Sequence, residues 1–179
     1  MTGSPLILRP ATDEEIAYIR TLNAASWAGD LDVKTYHDRE RVLSSTALTR
    51  NGGISCWVLV NPAEPYNILS SCETIKKHAL VSLPPPSPAD VGPGDATHLI
   101  SPVAAHVIGN VFTPLKHRRN GYAGAMLRLL AETLKHGSPE GFSVLYSDIG
   151  KVGSVWCWFR KGRTEFPSPI SSLFLHFLP

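Results

Sequence analysis

The chain has 179 residues, 43% hydrophobic and 18% charged, with a formal net charge of +2. That length suits one domain with a sizeable buried core, and the composition excludes a disordered polymer. So small a net charge offers no electrostatic basis for a nucleic-acid or membrane partner, and neither is expected.

Taken in order, residues 6–9 form a short β-type run. Thr12 and Asp13 followed by Glu14 and Glu15 are a helix-start signal with acid in the first turn. Ile16, Ile19, Leu22 and Asn23 continue at helical spacing until Trp27 and Gly29 close the helix. Residues 33–45 read as a second amphipathic helix, and Asn51, Gly52 and Gly53 as a turn. ISCWVLV at 54–60 reads as a buried strand ended by Pro62 and Pro65. Residues 68–74 and 78–82 read as two further strands with Lys76 and Lys77 between them. The PPPSP and GPG runs make 83–102 an expected irregular loop. Residues 103–113 are expected as a strand, 114–123 as a polar turn, and Met126, Leu127, Leu130 and Leu134 as one face of a helix stopped by Gly137. Residues 142–149 supply one more strand. The order β-α-α-β-β-β-β-α-β predicts an α/β fold with a mixed central sheet and flanking helices.

Cys56, Cys72 and Cys157 are too few and too far apart for a disulfide framework, and no C-x-x-C pair offers a structural zinc site. The histidines are scattered without an i, i+4 pair, so no metal site is expected. The N-terminal residues lack a basic segment leading into an apolar run, and the late apolar stretch falls far short of the roughly 20 residues that span a bilayer. A cytoplasmic, reducing location is the expectation.

The chemical signal lies at the strand–turn–helix step near residue 113. Gly121 and Ala123 put small residues where a helix begins, and its first N–H groups have no internal partner. With the helix dipole, and with Arg118 and Arg119 alongside, such a turn suits a bound anion such as a pyrophosphate. An ordinary βα connection with solvated basic residues is the competing reading. Neither a Walker A motif nor G-x-G-x-x-G is present.

Arg118-x-x-Gly121-x-Ala123 after a strand resembles the [QR]-x-x-G-x-[GA] signature of the GNAT superfamily of N-acetyltransferases. Four segments in order, beginning at Ile68, Val111, Arg118 and Ser143, are similar to the fungal lysine acetyltransferase-like branch. The likeness covers about residues 6–151 and implies an acetyl-CoA-binding domain there, with acetyl transfer to a small amine, free lysine being the best match. It implies that the backbone of Val111, Phe112 and Thr113 pairs with the pantetheine arm. A strand N–H near Val111 would stabilise developing oxyanion charge. It further implies that Arg118, Arg119, Asn120, Gly121, Tyr122, Ala123 and Gly124 hold the pyrophosphate. Glu73 is the candidate base and Tyr146 the candidate acid. A solvent-facing carboxylate and a core tyrosine are the competing readings of these two, and an inert buried thiol is the reading of Cys72. No reading of the oligomeric state follows.

After Lys151 the likeness stops. The family continues with an aromatic-rich helix, further strands and an additional domain, whereas this chain reads VGSVWCWF from Val152. Residues 152–179 are expected to be a divergent, poorly ordered tail. Val codons begin with GT, so a retained intron is one explanation of the break and a genuine divergent tail the other. A catalytically impaired CoA-binding remnant is the alternative to an active transferase.

Overall fold

The computed structural model describes residues 5–83, 99–137, 142–147, 154–158 and 176–177. Its elements are β1 (Ile7–Pro10), α1 (Asp13–Trp27), α2 (Val33–Ser44), β2 (Ile54–Asn61), β3 (Glu64–Leu83), β4 (Leu99–Phe112), a 3-10 turn (Leu115–His117), α3 (Tyr122–Gly137), β5 (Phe142–Ser147), β6 (Ser154–Trp158) and β7 (His176–Phe177). The strands form one mixed sheet in the order β1-β2-β3-β4-β5-β6, with β7 paired to β3. Every neighbouring pair is antiparallel except β4 and β5, which run parallel.

Alternation along β2 decides which helix covers which face. Leu59 is completely buried in a cluster with Leu69, Cys72, Ile108, Met126 and Leu130, which seats α3 on one side. Val58 and Val60, one residue to either side, pack with Ile68 and Ile19 of α1 on the opposite side. Burial of each such side chain contributes roughly 1.5–3 kcal/mol. Helix α2 joins through Tyr36, which is packed with Ala24 and Ala28.

Local chemistry sets the start and stop of α1. Thr12 accepts from the Glu15 amide while the Glu15 side chain accepts from the Thr12 amide, a reciprocal capping box. At the other end the chain leaves the helix through Gly29 at φ +60°, a left-handed conformation that disfavours a β-carbon. Glu15 also receives Arg9 through two 2.7 Å hydrogen bonds, and Arg9 donates to the Pro65 carbonyl at 3.2 Å. One ion pair therefore ties β1, α1 and the beginning of β3 together.

Two expectations need correction. Residues 68–74 and 78–82 belong to a single 20-residue strand, β3, with Pro65 near its start. Lys76 and Lys77 do not interrupt it because they pair with His106 and Ala105 in an antiparallel ladder that tolerates polar residues on solvated positions. The expected loop at 83–102 is shorter at both ends, since Leu83 pairs with Leu99 and Leu80 with Pro102. Pro102 fits because the described pairing with β5 begins only at Ala105, leaving β4 one partner at that point. Residues 84–98 lie outside the described residues. Past Lys151, where a poorly ordered tail is expected, Ser154–Trp158 pairs antiparallel with β5, from Ser143↔Trp158 to Ser147↔Ser154. The sheet thus extends beyond the matched segments. No helix among the described residues is long and apolar enough to cross a membrane.

Hydrogen bonding to Arg9 is the main reason the Glu15 carboxyl titrates below its ordinary value near 4.5. Its stabilising effect is therefore present above the unfolded pKa and lost as the pH falls through the folded one. Glu15→Gln should cost about 1–3 kcal/mol at pH 7, from the charge-assisted pair with Arg9, since glutamine can still accept from the Thr12 amide. The deficit relative to the parent should shrink below pH 4.5, which urea denaturation across that range would measure. A deficit independent of pH would remove the ion pair from this account.

Candidate functional site

The parallel ladder between β4 and β5 runs from Ala105↔Phe142 to Ile108↔Leu145. Strand β4 continues to Phe112, with no described β5 partner for its last four residues. On its other side the register with β3 jumps from Glu73↔Gly109 to Ser71↔Phe112. Two steps on β3 face three on β4, so β4 bulges at Asn110 and Val111. Asn110 takes the strain at φ +50°, a left-handed conformation that asparagine tolerates better than most residues. Together, the end of the ladder and the bulge open a V between β4 and β5.

Beyond the V, Ser70 donates to the Phe112 carbonyl at 2.9 Å and meets the Thr113 hydroxyl at 3.1 Å. Arg118 Nε donates to the Thr113 carbonyl at 3.1 Å, and its guanidinium lies 5.9 Å from the centre of the Phe112 ring. Both carbonyls thus have protein partners, and Asn110 and Val111 are the residues whose backbone the bulge displaces. Trp27, the last residue of α1, meets the Phe112 ring edge-on at 5.7 Å.

The turn into α3 is built to leave amides free. Arg119 at φ +65° and Gly121 at φ +76° alternate with Asn120, whose side chain donates to the His117 and Arg118 carbonyls at 3.2 and 3.3 Å. Such alternation gathers successive N–H groups into a concavity suited to anions. The first helical bond closes only at the Ala125 amide, onto the Gly121 carbonyl at 3.0 Å. The amides of Tyr122, Ala123 and Gly124 therefore lie ahead of the helical ladder, and no acid occupies the first turn to compete for them.

On the α1 side of the same bulge sits a small cleft, open to solvent, lined by Ile16, Ile19, Arg20, Asn23, Cys56, Ser71, Cys72, Glu73 and Asn110. Glu73 is its central acid. Asn110 Nδ2 donates to Glu73 Oε2 at 2.6 Å, and the Cys56 thiol donates to Oε1 at 3.4 Å. Cys56 is the ladder partner of Glu73, and the bulge brings in Asn110. Glu73 is thus held inside a cleft rather than standing free on an edge strand. Burial pushes the thiols of Cys56 and Cys72 up to about 12, with the Glu73 charge adding to the effect at each. Neither is a thiolate at neutral pH, which agrees with the inert reading of Cys72.

Tyr146 lies on β5 with its backbone registered to Val155, one residue past the last pairing with β4, and its side chain lies outside the described residues. Sequence reasoning missed Asn110, Cys56, Arg20 and Asn23. Only the Asn110-Val111 step carried a local signal, an asparagine within a β-branched run. Among the described residues no group of three or more His, Cys, Asp or Glu could hold a metal.

No protein-family model matches the chain. It is 29% identical over 143 residues, 79% of its length, to a lysine acetyltransferase of Yarrowia lipolytica, and 29% identical over 181 residues to an uncharacterized protein of Saccharomyces cerevisiae. It spans 32% and 43% of the lengths of these two relatives. Among solved structures it is similar to a GCN5-related N-acetyltransferase from Kribbella flavida, with TM-score 0.51 and 17% identity over 83% of this chain and 32% of that one. A candidate acetyl transferase from Pyrococcus furiosus gives the same score and identity over 83% of this chain and 86% of that one. At this identity the likeness shows fold alone: the chain has the mixed α/β fold of the GCN5-related N-acetyltransferases.

Proposed function

We propose that the chain is an acetyl-CoA-dependent N-acetyltransferase whose cofactor-binding domain spans residues 6–151 and whose acceptor is a small free amine such as lysine. The observation that carries this reading is the V between β4 and β5, flanked by free amides at the start of α3 on one side and by the Glu73 cleft on the other. The Yarrowia lipolytica relative, named a lysine acetyltransferase, supports the choice of acceptor.

The residues fit the cofactor at two points. Amides from Arg119 to Gly124, with Arg118 beside them, suit a pyrophosphate, because the two left-handed residues and the absence of a first-turn acid leave a cationic concavity. Backbone from Val111 to Thr113, beyond the last β5 pairing, suits an extended amide-bearing arm. Bound acetyl-CoA supplies an acyl group activated as a thioester. The chain's own residues supply positioning and proton transfer. Glu73 takes a proton from the acceptor ammonium, so that a neutral amine faces the V. Asn110 fixes the orientation of Glu73 through the 2.6 Å bond to Oε2, leaving Oε1 beside only a thiol. A backbone N–H at the bulge near Val111 is the proposed donor to developing oxyanion charge. Tyr146 is the proposed acid on the leaving side.

Two measurements test this. Gly124 sits in the first turn of α3, and a β-carbon there would come no closer than 3.7 Å to the Arg128 guanidinium. Gly124→Asp should therefore fold normally, an acid in a first turn being favourable to the helix. It should weaken CoA at least tenfold in calorimetry, because a carboxylate then competes for the amides. Unchanged affinity would put the phosphates elsewhere. Glu73→Gln, followed by thiol release with acetyl-CoA and L-lysine, should lower turnover by about 10²–10⁴-fold while CoA affinity stays the same. Turnover equal to the parent's would dismiss Glu73 as the base.

A further inference from the structure

The cleft beside Glu73 carries two polar atoms that the fold itself does not satisfy. Asn23 is only 3% exposed, yet among the described residues its Oδ1 has no hydrogen-bond partner. Arg20, one turn earlier on α1, has a buried Nε with none either. Both residues line the cleft together with Glu73 and Asn110. Leaving a buried donor or acceptor unpaired is costly, and native proteins rarely keep such atoms without a use. The two atoms, of opposite hydrogen-bonding sense, belong to residues three apart on one helix that both line a single small space.

The rest of Arg20 is held in place. Its Nη2 donates to Ser44 Oγ at 2.7 Å, and Ser44 in turn donates to the Glu40 carbonyl at 2.7 Å. Anchored to α2 by one nitrogen, the guanidinium keeps its charge at the cleft, where the Cys56 thiol responds to both Arg20 and Glu73. The space therefore presents one fixed positive and one fixed negative charge. A ligand carrying both charges can pair with each of them, whereas a ligand with a single charge pairs with only one.

We infer that Arg20 and Asn23 are the specificity-determining residues of the acceptor cleft, Arg20 Nε–H donating to a carboxylate on the acceptor and Asn23 Oδ1 accepting from an N–H on the same molecule. This rests on the transferase reading in placing the acceptor beside Glu73, and it adds which groups on α1 select it. A carboxylate completes Arg20, an ammonium answers Asn23 and Glu73, and a zwitterionic amine fits where a plain diamine or an acid alone does not. The pair would also discriminate against an amine embedded in a peptide chain, which brings no carboxylate of its own to Arg20.

The test is direct binding, read by calorimetry on the full chain with L-lysine, L-lysinamide and 1,5-diaminopentane, and separately with CoA. L-lysine should bind at least tenfold more tightly than either compound without a carboxylate. Arg20→Lys keeps the charge, and its ammonium can take the place of Nη2 near Ser44, but it lacks the Nε–H; it should abolish that preference with CoA affinity unchanged. Asn23→Leu should weaken L-lysine at least tenfold while the midpoint of thermal unfolding stays the same or rises, because an unsatisfied buried group is removed. A purely structural Asn23 would instead lower the midpoint. The inference is overturned if the parent binds L-lysine and 1,5-diaminopentane alike, if it binds no L-lysine, or if both variants bind L-lysine as the parent does. Absence of CoA binding alone would overturn the transferase reading, while the L-lysine titration would still decide the roles of Arg20 and Asn23.

Discussion

At Asn110 strand β4 carries one residue more than β3 can match, and the geometry of the site follows from that mismatch. The extra residue cannot join the ladder, so the strand bends and its side chain is redirected. In this chain the redirected side chain reaches Glu73, 37 positions earlier, at 2.6 Å. Two residues before Asn110, at Ile108, the described pairing with β5 ends. A strand that has lost register on one side and its neighbour on the other is the part of a sheet where backbone groups become available to something besides the protein.

The surrounding structure holds that opening in shape. Helix α3 buries Met126 and Leu130 completely against one face of the sheet, which fixes where its free N-terminal amides sit relative to the end of β4. On the other face α1 is secured at both ends, by Arg9 and Glu15 at its start and by Trp27 on Phe112 at its finish. Phe112 lies between Trp27 and the Arg118 guanidinium, so the end of α1 and the turn before α3 share one ring. The turn before α3 and the cleft beside Glu73 are therefore parts of a single packed unit. Tight packing of this kind transmits small displacements.

Helix α1 also shows how a stabilising element can carry polar atoms that the described residues leave unpaired. Ile19 sits in the core with Val58 and Val60, whereas Arg20 and Asn23 spend buried surface on atoms without partners. Apolar residues of similar size would suit the isolated fold better. Such local disagreement with the rules of folding is expected where a surface has a second task.

Much of the organisation was legible in the sequence. The start of α1 at Thr12 and Glu15, the stop near Gly29, the apolar face of α3 and the glycine-containing turn before it all depend on residues within a few positions of one another. Capping, φ preference and periodicity act over that range, so they can be read along the chain. What the tertiary structure alone decided was register. Cys56 meets Glu73 across 17 positions and Asn110 meets it across 37, and no local pattern says which residues of two long strands will face each other or where one will bulge. Lys76 and Lys77 looked like an interruption because charge was read locally, yet they lie inside a 20-residue strand whose partner tolerates them. Arg20 carries no local signal, and Asn23 reads along the chain only as a continuation of the helical spacing of α1. Their burial without partners became visible only once α1 was laid against β3 and β4, because whether a polar atom is satisfied depends on what surrounds it in space and not on what precedes it in the chain.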